Sequence, residues 1–464
     1  MLIWFYSNLT KEKLLRKTYG KPQGLENYML KILQKDLSYI NHPNFSVNMC
    51  ARIALFLFIW ITSVPLYAQL PGFYMKEEQH KVQLPFYASN SLIIIPVSIN
   101  GNYPINFLVD TGVRSNILFS KDLGDAMELD YSRQLDLIGA DGSASLSAFV
   151  SPTNTFDLGP IEGTYQNLLV LEEDFLELET VIGVPVYGII GYEFFKYNPV
   201  KIDYDKELIT FYENDAVKWR PIFYKKLEMI VENSKPYIEA KVRQQDGSIL
   251  NPKLLIDTGA NHGLLLNKET SDDIILPELF IESELGQSLG GVLEGFIGRV
   301  KALNIQGFRL QDVLTSYPNE TPYSYVIKES GRQGSLGSEV LGRMKLIIDY
   351  PRNRLLIRRG EKYYAPFEYD MSGISVKKVP NEENRIYVGQ VRVNSPASKA
   401  GIEEFDEILS INKIPAFIWE LSDVIKLLRS EEGKEIEFEI RRYEGLDLTK
   451  YEDMVFRIVL KKQI

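Results

Sequence analysis

Two acidic residues of this 464-residue chain share one three-residue setting. Asp110-Thr111-Gly112 follows the apolar run Phe107-Leu108-Val109, and Asp257-Thr258-Gly259 follows Leu254-Leu255-Ile256. Each Asp therefore ends a strand that reads as buried. Gly allows close backbone approach and Thr offers a hydroxyl that can lock an opposing loop. If the two stretches pack face to face, Asp110 and Asp257 come within hydrogen-bond reach and cannot both ionise, so they hold one proton between them. Such a pair can polarise a water with one oxygen and protonate a leaving amine with another. It needs neither a metal nor a covalent nucleophile, so no cofactor is expected. The rest of the composition leaves few competitors. A single cysteine, Cys50, allows no intrachain disulfide and no cysteine-built metal site, and His42, His80 and His262 form no zinc-binding pattern.

The elements around the two triplets repeat. Downstream of the first come Ile189-Ile190-Gly191 and then Asp203-Tyr204; downstream of the second come Ser335-Leu336-Gly337 and then Asp349-Tyr350. The motif Asp precedes the later Gly by 81 residues in one copy (110 to 191) and by 80 in the other (257 to 337). Two copies of one fold unit are the economical reading. Between these landmarks lie short β-branched and aromatic runs, at Leu92 to Ile99, Asn167 to Leu171, Glu207 to Tyr212, Tyr237 to Val242 and Arg354 to Ile357, which predict a mostly β protein. Two Gly-marked stretches, 137–142 and 289–295, suit mobile hairpins and are the candidate flaps.

The strand-Asp-Thr-Gly unit, the later apolar-apolar-Gly unit and the duplication resemble the retropepsin and pepsin group of aspartic peptidases over roughly residues 90 to 360. The resemblance implies two pseudo-symmetric β-barrel lobes, at residues 69–225 and 226–362. Asp110 and Asp257 would be the catalytic dyad, Thr111 and Thr258 hydroxyls gripping across the lobe interface, and Gly112 and Gly259 tight-turn residues. Ile189-Ile190-Gly191 and Ser335-Leu336-Gly337 would lie behind the catalytic loops. Two departures stand out. Val113 and Ala260 replace the hydroxyl residue that commonly follows the triplet, which predicts a pH optimum nearer neutrality than pepsin's, and Ser335 stands where an apolar residue is usual. His262, matched by Ser115 in the first copy, reads as a structural or rim residue.

A polar, Tyr-rich join at Glu361 to Asp370 leads to a segment of different texture. There Ser395-Pro396 begins a short helix that Gly401 ends, and Leu421, Val424, Ile425 and Leu428 recur at helical spacing from Glu420 to Leu428. Over about Phe367 to Lys462 this segment resembles bacterial PDZ domains, which implies an α+β PDZ-like domain at residues 366–464. By that resemblance it takes an extended C-terminal peptide by strand addition, with Gly373 and Ile374 in the carboxylate loop and Val424 and Ile425 on the groove helix. Phe405 stands where a Gly usually precedes Asp406.

Hydrophobic residues at 45% and charged residues at 25% place the chain among globular proteins, and a net charge of −10 without a basic stripe argues against a nucleic-acid partner. Residues 49–68 have a signal-peptide layout: Arg52, the apolar run Ile53 to Val64, Pro65 and Ala68. Met49 is therefore expected to be the true start, with residues 1–48 a non-native upstream extension. The protein is expected to be bacterial and exported, periplasmic or extracellular, with membrane association only through an uncleaved signal segment. The expected function is an exported aspartic endopeptidase acting on protein or peptide substrates. A catalytically inactive pepsin-like scaffold that binds peptides is the competing reading, and the presence of both carboxylates favours the enzyme.

Overall fold

A computed structural model describes residues 70–464 apart from 139–144, 289–290, 322–323, 383–384 and 446. The proposed leader and extension, with Cys50 and His42, lie outside the described residues. Among the described residues no helix is long and apolar enough to cross a membrane. The mostly β expectation holds. Three sheets build a duplicated unit and a fourth builds the C-terminal domain.

The two copies use the same wiring. In the first, Ile105–Val109 pairs in parallel with Gly188–Ile190, which pairs antiparallel with Asn116–Leu118. In the second, Lys253–Ile256 pairs in parallel with Gly334–Leu336, which pairs antiparallel with Leu264–Leu266. Each motif Asp thus leaves a central strand flanked on both edges, and strands so enclosed read as continuous apolar runs. A further echo lies at the hairpins ahead of them. Asn90-Ser91 and Asn233-Ser234 both turn with positive φ at both positions, the geometry of a two-residue primed turn.

A third sheet joins the copies through antiparallel pairing of Val200–Asp203 with Met344–Asp349, Ile202 opposite Leu346. These are the strands that carry the two Asp-Tyr landmarks. Asp203 is held there by Lys201 and Lys345, and Asp349 by Arg352 and Arg354. One continuous hydrophobic core, including Ile95, Phe107, Ile202, Ile256, Leu303 and Leu346, runs through both lobes and this sheet.

The join between lobes and C-terminal domain is firmly packed, unlike a loose linker. Phe367 is buried in the main core under the Arg343 guanidinium, 3.5 Å from its ring centroid, and Arg343 donates to the Ala365 and Pro366 carbonyls. Beyond it, Ser395 caps the helix Pro396–Ala400 by accepting from Ser398 N–H, and Gly401 ends it with φ 93°. Phe405 keeps the glycine-like turn at φ 69°, with its ring 73% exposed. A left-handed φ at an aromatic residue is a local strain that the surrounding turn must hold.

Of the two flap stretches, residues 139–142 of the first and 289–290 of the second lie outside the described residues. Their flanking strands form antiparallel hairpins: Arg133–Ile138 with Ser145–Asp157, and Ile281–Ser288 with Gly291–Ile305.

Candidate active site

The two triplets meet across the lobe interface in a closed, reciprocal set of hydrogen bonds. Thr111 N–H donates to Thr258 Oγ1 at 3.1 Å, and Thr258 N–H donates to Thr111 Oγ1 at 3.1 Å. Each hydroxyl then passes its own proton across: Thr111 Oγ1 to the Ile256 carbonyl at 2.6 Å, Thr258 Oγ1 to the Val109 carbonyl at 2.9 Å. Both threonines are fully buried. Only a side chain that accepts and donates at once can do this, which is why the chemistry asks for a hydroxyl in both copies.

That clamp sets the carboxyls against each other. Asp110 N–H donates to Ile190 O and Asp257 N–H to Leu336 O, both at 2.9 Å, so each aspartate is tied to the apolar-apolar-Gly strand of its own lobe. The Asp110 carboxyl is buried and lies close enough to that of Asp257 to share a proton with it. It also accepts from Gly112 N–H at 2.6 Å. The glycines are there for space. A Cβ on Gly259 would lie 2.2 Å from Asp110 Cγ, and one on Gly112 would lie 3.0 Å from Asp257 Oδ1 and 3.1 Å from Asp110 Oδ1. Gly191 and Gly337 sit directly behind the loops, where a Cβ would come 2.6 Å from the Val113 carbonyl and 2.2 Å from that of His262.

Burial, followed by the charge of Asp257, holds the Asp110 carboxyl well above the usual carboxylate range. Gly112 N–H and the Lys235 ammonium oppose that rise. The Asp-Tyr landmarks feel the pair from the opposite lobe. Burial and then the charge of Asp257 push the Tyr204 hydroxyl up, while burial and then the charge of Asp110 act on Tyr350.

Three residues of the site escaped the sequence reading or gained a role. Lys235 follows the Asn233-Ser234 turn, where the first copy has Leu92 after Asn90-Ser91. Burial and the Arg332 charge push its ammonium down, and the charges of Asp257 and Asp110 partly restore it. The signal was in the paired Asn-Ser turns. Second, His262 and Ser335 are one coupled departure: a His262 ring nitrogen and the Ser335 hydroxyl are 2.9 Å apart, in place of Ser115 and Ile189 of the first copy. Burial pushes the His262 ring down, which favours its neutral form.

In the C-terminal domain, Gly373 closes the loop before the strand Ile374–Lys378 and Ile374 begins that strand, near the end of the helix Leu421–Leu428. Ile425 faces a cavity, but Val424 does not. Val424 is fully buried in the domain core, because successive helical residues point about 100° apart. It is therefore corrected from groove residue to core residue.

Residues 95–194 match the family model for aspartyl protease, and residues 387–442 match that for the PDZ domain. The first match holds Asp110 and ends before the second copy, which is tied to it by the repeated strand wiring. No curated protein matches the chain. The chain thus combines an aspartyl-protease unit with a C-terminal PDZ domain.

Proposed function

We propose that this protein is an aspartic endopeptidase that cuts protein or peptide substrates with a water activated between Asp110 and Asp257. The observation that carries this is the closed Thr111–Thr258 clamp, which sets two carboxyls within reach of each other, with Asp257 lining a cavity. With one proton shared, the ionised carboxyl takes a proton from water as the oxygen attacks the scissile carbonyl. The protonated one donates to that carbonyl oxygen. Collapse of the gem-diol intermediate then expels the amine, which takes a proton from one carboxyl while a diol hydroxyl returns one to the other, restoring the shared proton. The PDZ domain positions the substrate. Export, as residues 49–68 suggest, places the enzyme outside the cytoplasm.

Incubating the full chain with casein and mapping new termini by mass spectrometry tests the reading. Cleavage by the wild type that pepstatin slows and Asp110→Asn abolishes is the expected result. Equal cleavage by the two forms would rule out the dyad.

A further inference from the structure

The Asp257 side of the dyad and the PDZ groove open into one cavity of about 520 Å³. Asp257 and Gly259 line it, and so do Ile374, Val376, Ile425 and Leu428 of the PDZ domain. That volume lies within the range of sites that bind small ligands, enough for a short stretch of extended chain. The strand Ile374–Lys378 pairs with Ile386–Val391 on one edge and, among the described residues, with no strand on the other. An edge unpaired by any other strand, here with the helices Leu178–Ile182 and Leu421–Leu428 near it, is where a peptide adds as a further strand.

In the usual PDZ mode, N–H groups of the loop before that strand hold the ligand's terminal carboxylate. Here they are taken. The Asp370 carboxylate accepts from Ser372 N–H at 3.1 Å, from Gly373 N–H at 2.8 Å and from the Ser372 hydroxyl. Ile374 N–H donates to Ser372 Oγ at 3.2 Å, and the Arg392 guanidinium pairs with Asp370. The chain's own carboxylate fills the seat, complete with counter-ion. A ligand carboxylate arriving there would meet engaged donors and a like charge.

We infer that the PDZ groove and the peptidase cleft are one substrate site, which takes an internal, extended segment of the polypeptide being cut and not a free C terminus. This rests on the peptidase reading above. The PDZ domain then supplies a specificity subsite, in which Ile374, Ile425 and Leu428 receive an apolar side chain beyond the scissile bond. Its wall is fixed on both lobes, by Lys378–Glu179 at 3.0 Å and Lys377–Glu284 at 3.3 Å.

The probe is a set of overlapping casein peptides of about a dozen residues, long enough in extended form to leave the dyad and reach the groove. Each is made with a free carboxylate, with a C-terminal amide, and with a short Gly-Ser extension. The wild type should cut the three forms with kcat/KM equal to within about twofold, Ile425→Asp should lower kcat/KM about tenfold through KM, and Ile425→Leu should restore it. Asp370→Ala, which frees two N–H groups, should create a preference of about tenfold for the free acid. Two results would overturn the inference: a tenfold free-acid preference in the wild type, or an Ile425→Asp chain that melts and cuts like the wild type. Anisotropy with the same peptides, fluorescently labelled, on the Asp110→Asn chain applies the acid-against-amide criterion to binding alone. Absence of all cleavage would count against the peptidase reading and leave the binding comparison to judge the groove.

Discussion

Asp110 is raised by burial and by its partner, and Lys235 is the cation that limits the rise. The sign of its removal follows. Without the ammonium, ionisation of the pair becomes less favourable, so both of its proton losses move to higher pH. Lys235→Met should therefore shift both limbs of the pH profile of kcat/KM upward, and a profile unmoved or shifted to lower pH would refute that placement of charge. The aspartates, threonines and glycines were legible in the sequence because each copy repeats them in register. Lys235 was not, because its counterpart Leu92 differs in chemistry and only the turn before it repeats. Val424 was misplaced for another reason: helical spacing identifies an apolar stripe without saying which edge of it faces the groove.

Elements carry the pseudo-symmetry. The strands before and behind each Asp were readable as apolar runs, and the run Leu92–Ile99 matches its strand end to end. What spacing could not supply is the pairing of Val200–Asp203 with Met344–Asp349, which turns two repeats into one body. The threonine clamp lies at the same junction. Thr258→Val removes an acceptor from Thr111 N–H and a donor from the Val109 carbonyl, both buried, and should cost roughly 2–4 kcal/mol in urea unfolding. Thr258→Ser keeps the hydroxyl and should cost about 1 kcal/mol, the worth of a methyl group. Equal losses in the two variants would mean that packing, not the crossed hydrogen bonds, holds the loops together.

At the scale of the whole molecule, the PDZ domain is docked against both lobes. The helix Leu178–Ile182 of the first lobe packs on the strand Ile374–Lys378, and a Cβ on Gly183 would come 2.7 Å from Leu421 Cβ. None of this had a sequence signature, since contacts between positions some 199 residues apart, such as Lys378 with Glu179, leave no periodic trace. The pair is largely shielded from water, so its coupling should be measurable. Lys378→Met and Glu179→Gln, alone and together, should give a coupling energy of about 1–3 kcal/mol in a double-mutant cycle of unfolding. A coupling near zero would indicate that the domain is free of the lobes in solution.

Whether two aspartates 147 residues apart work as one group can be measured through kcat/KM for casein cleavage in Asp110→Asn, Asp257→Asn and the double variant. Each single change should lower it about a thousandfold or more, and the double no further, because a pair that shares one proton fails as a unit. Losses that multiply, or a single variant that retains wild-type activity, would contradict a shared site.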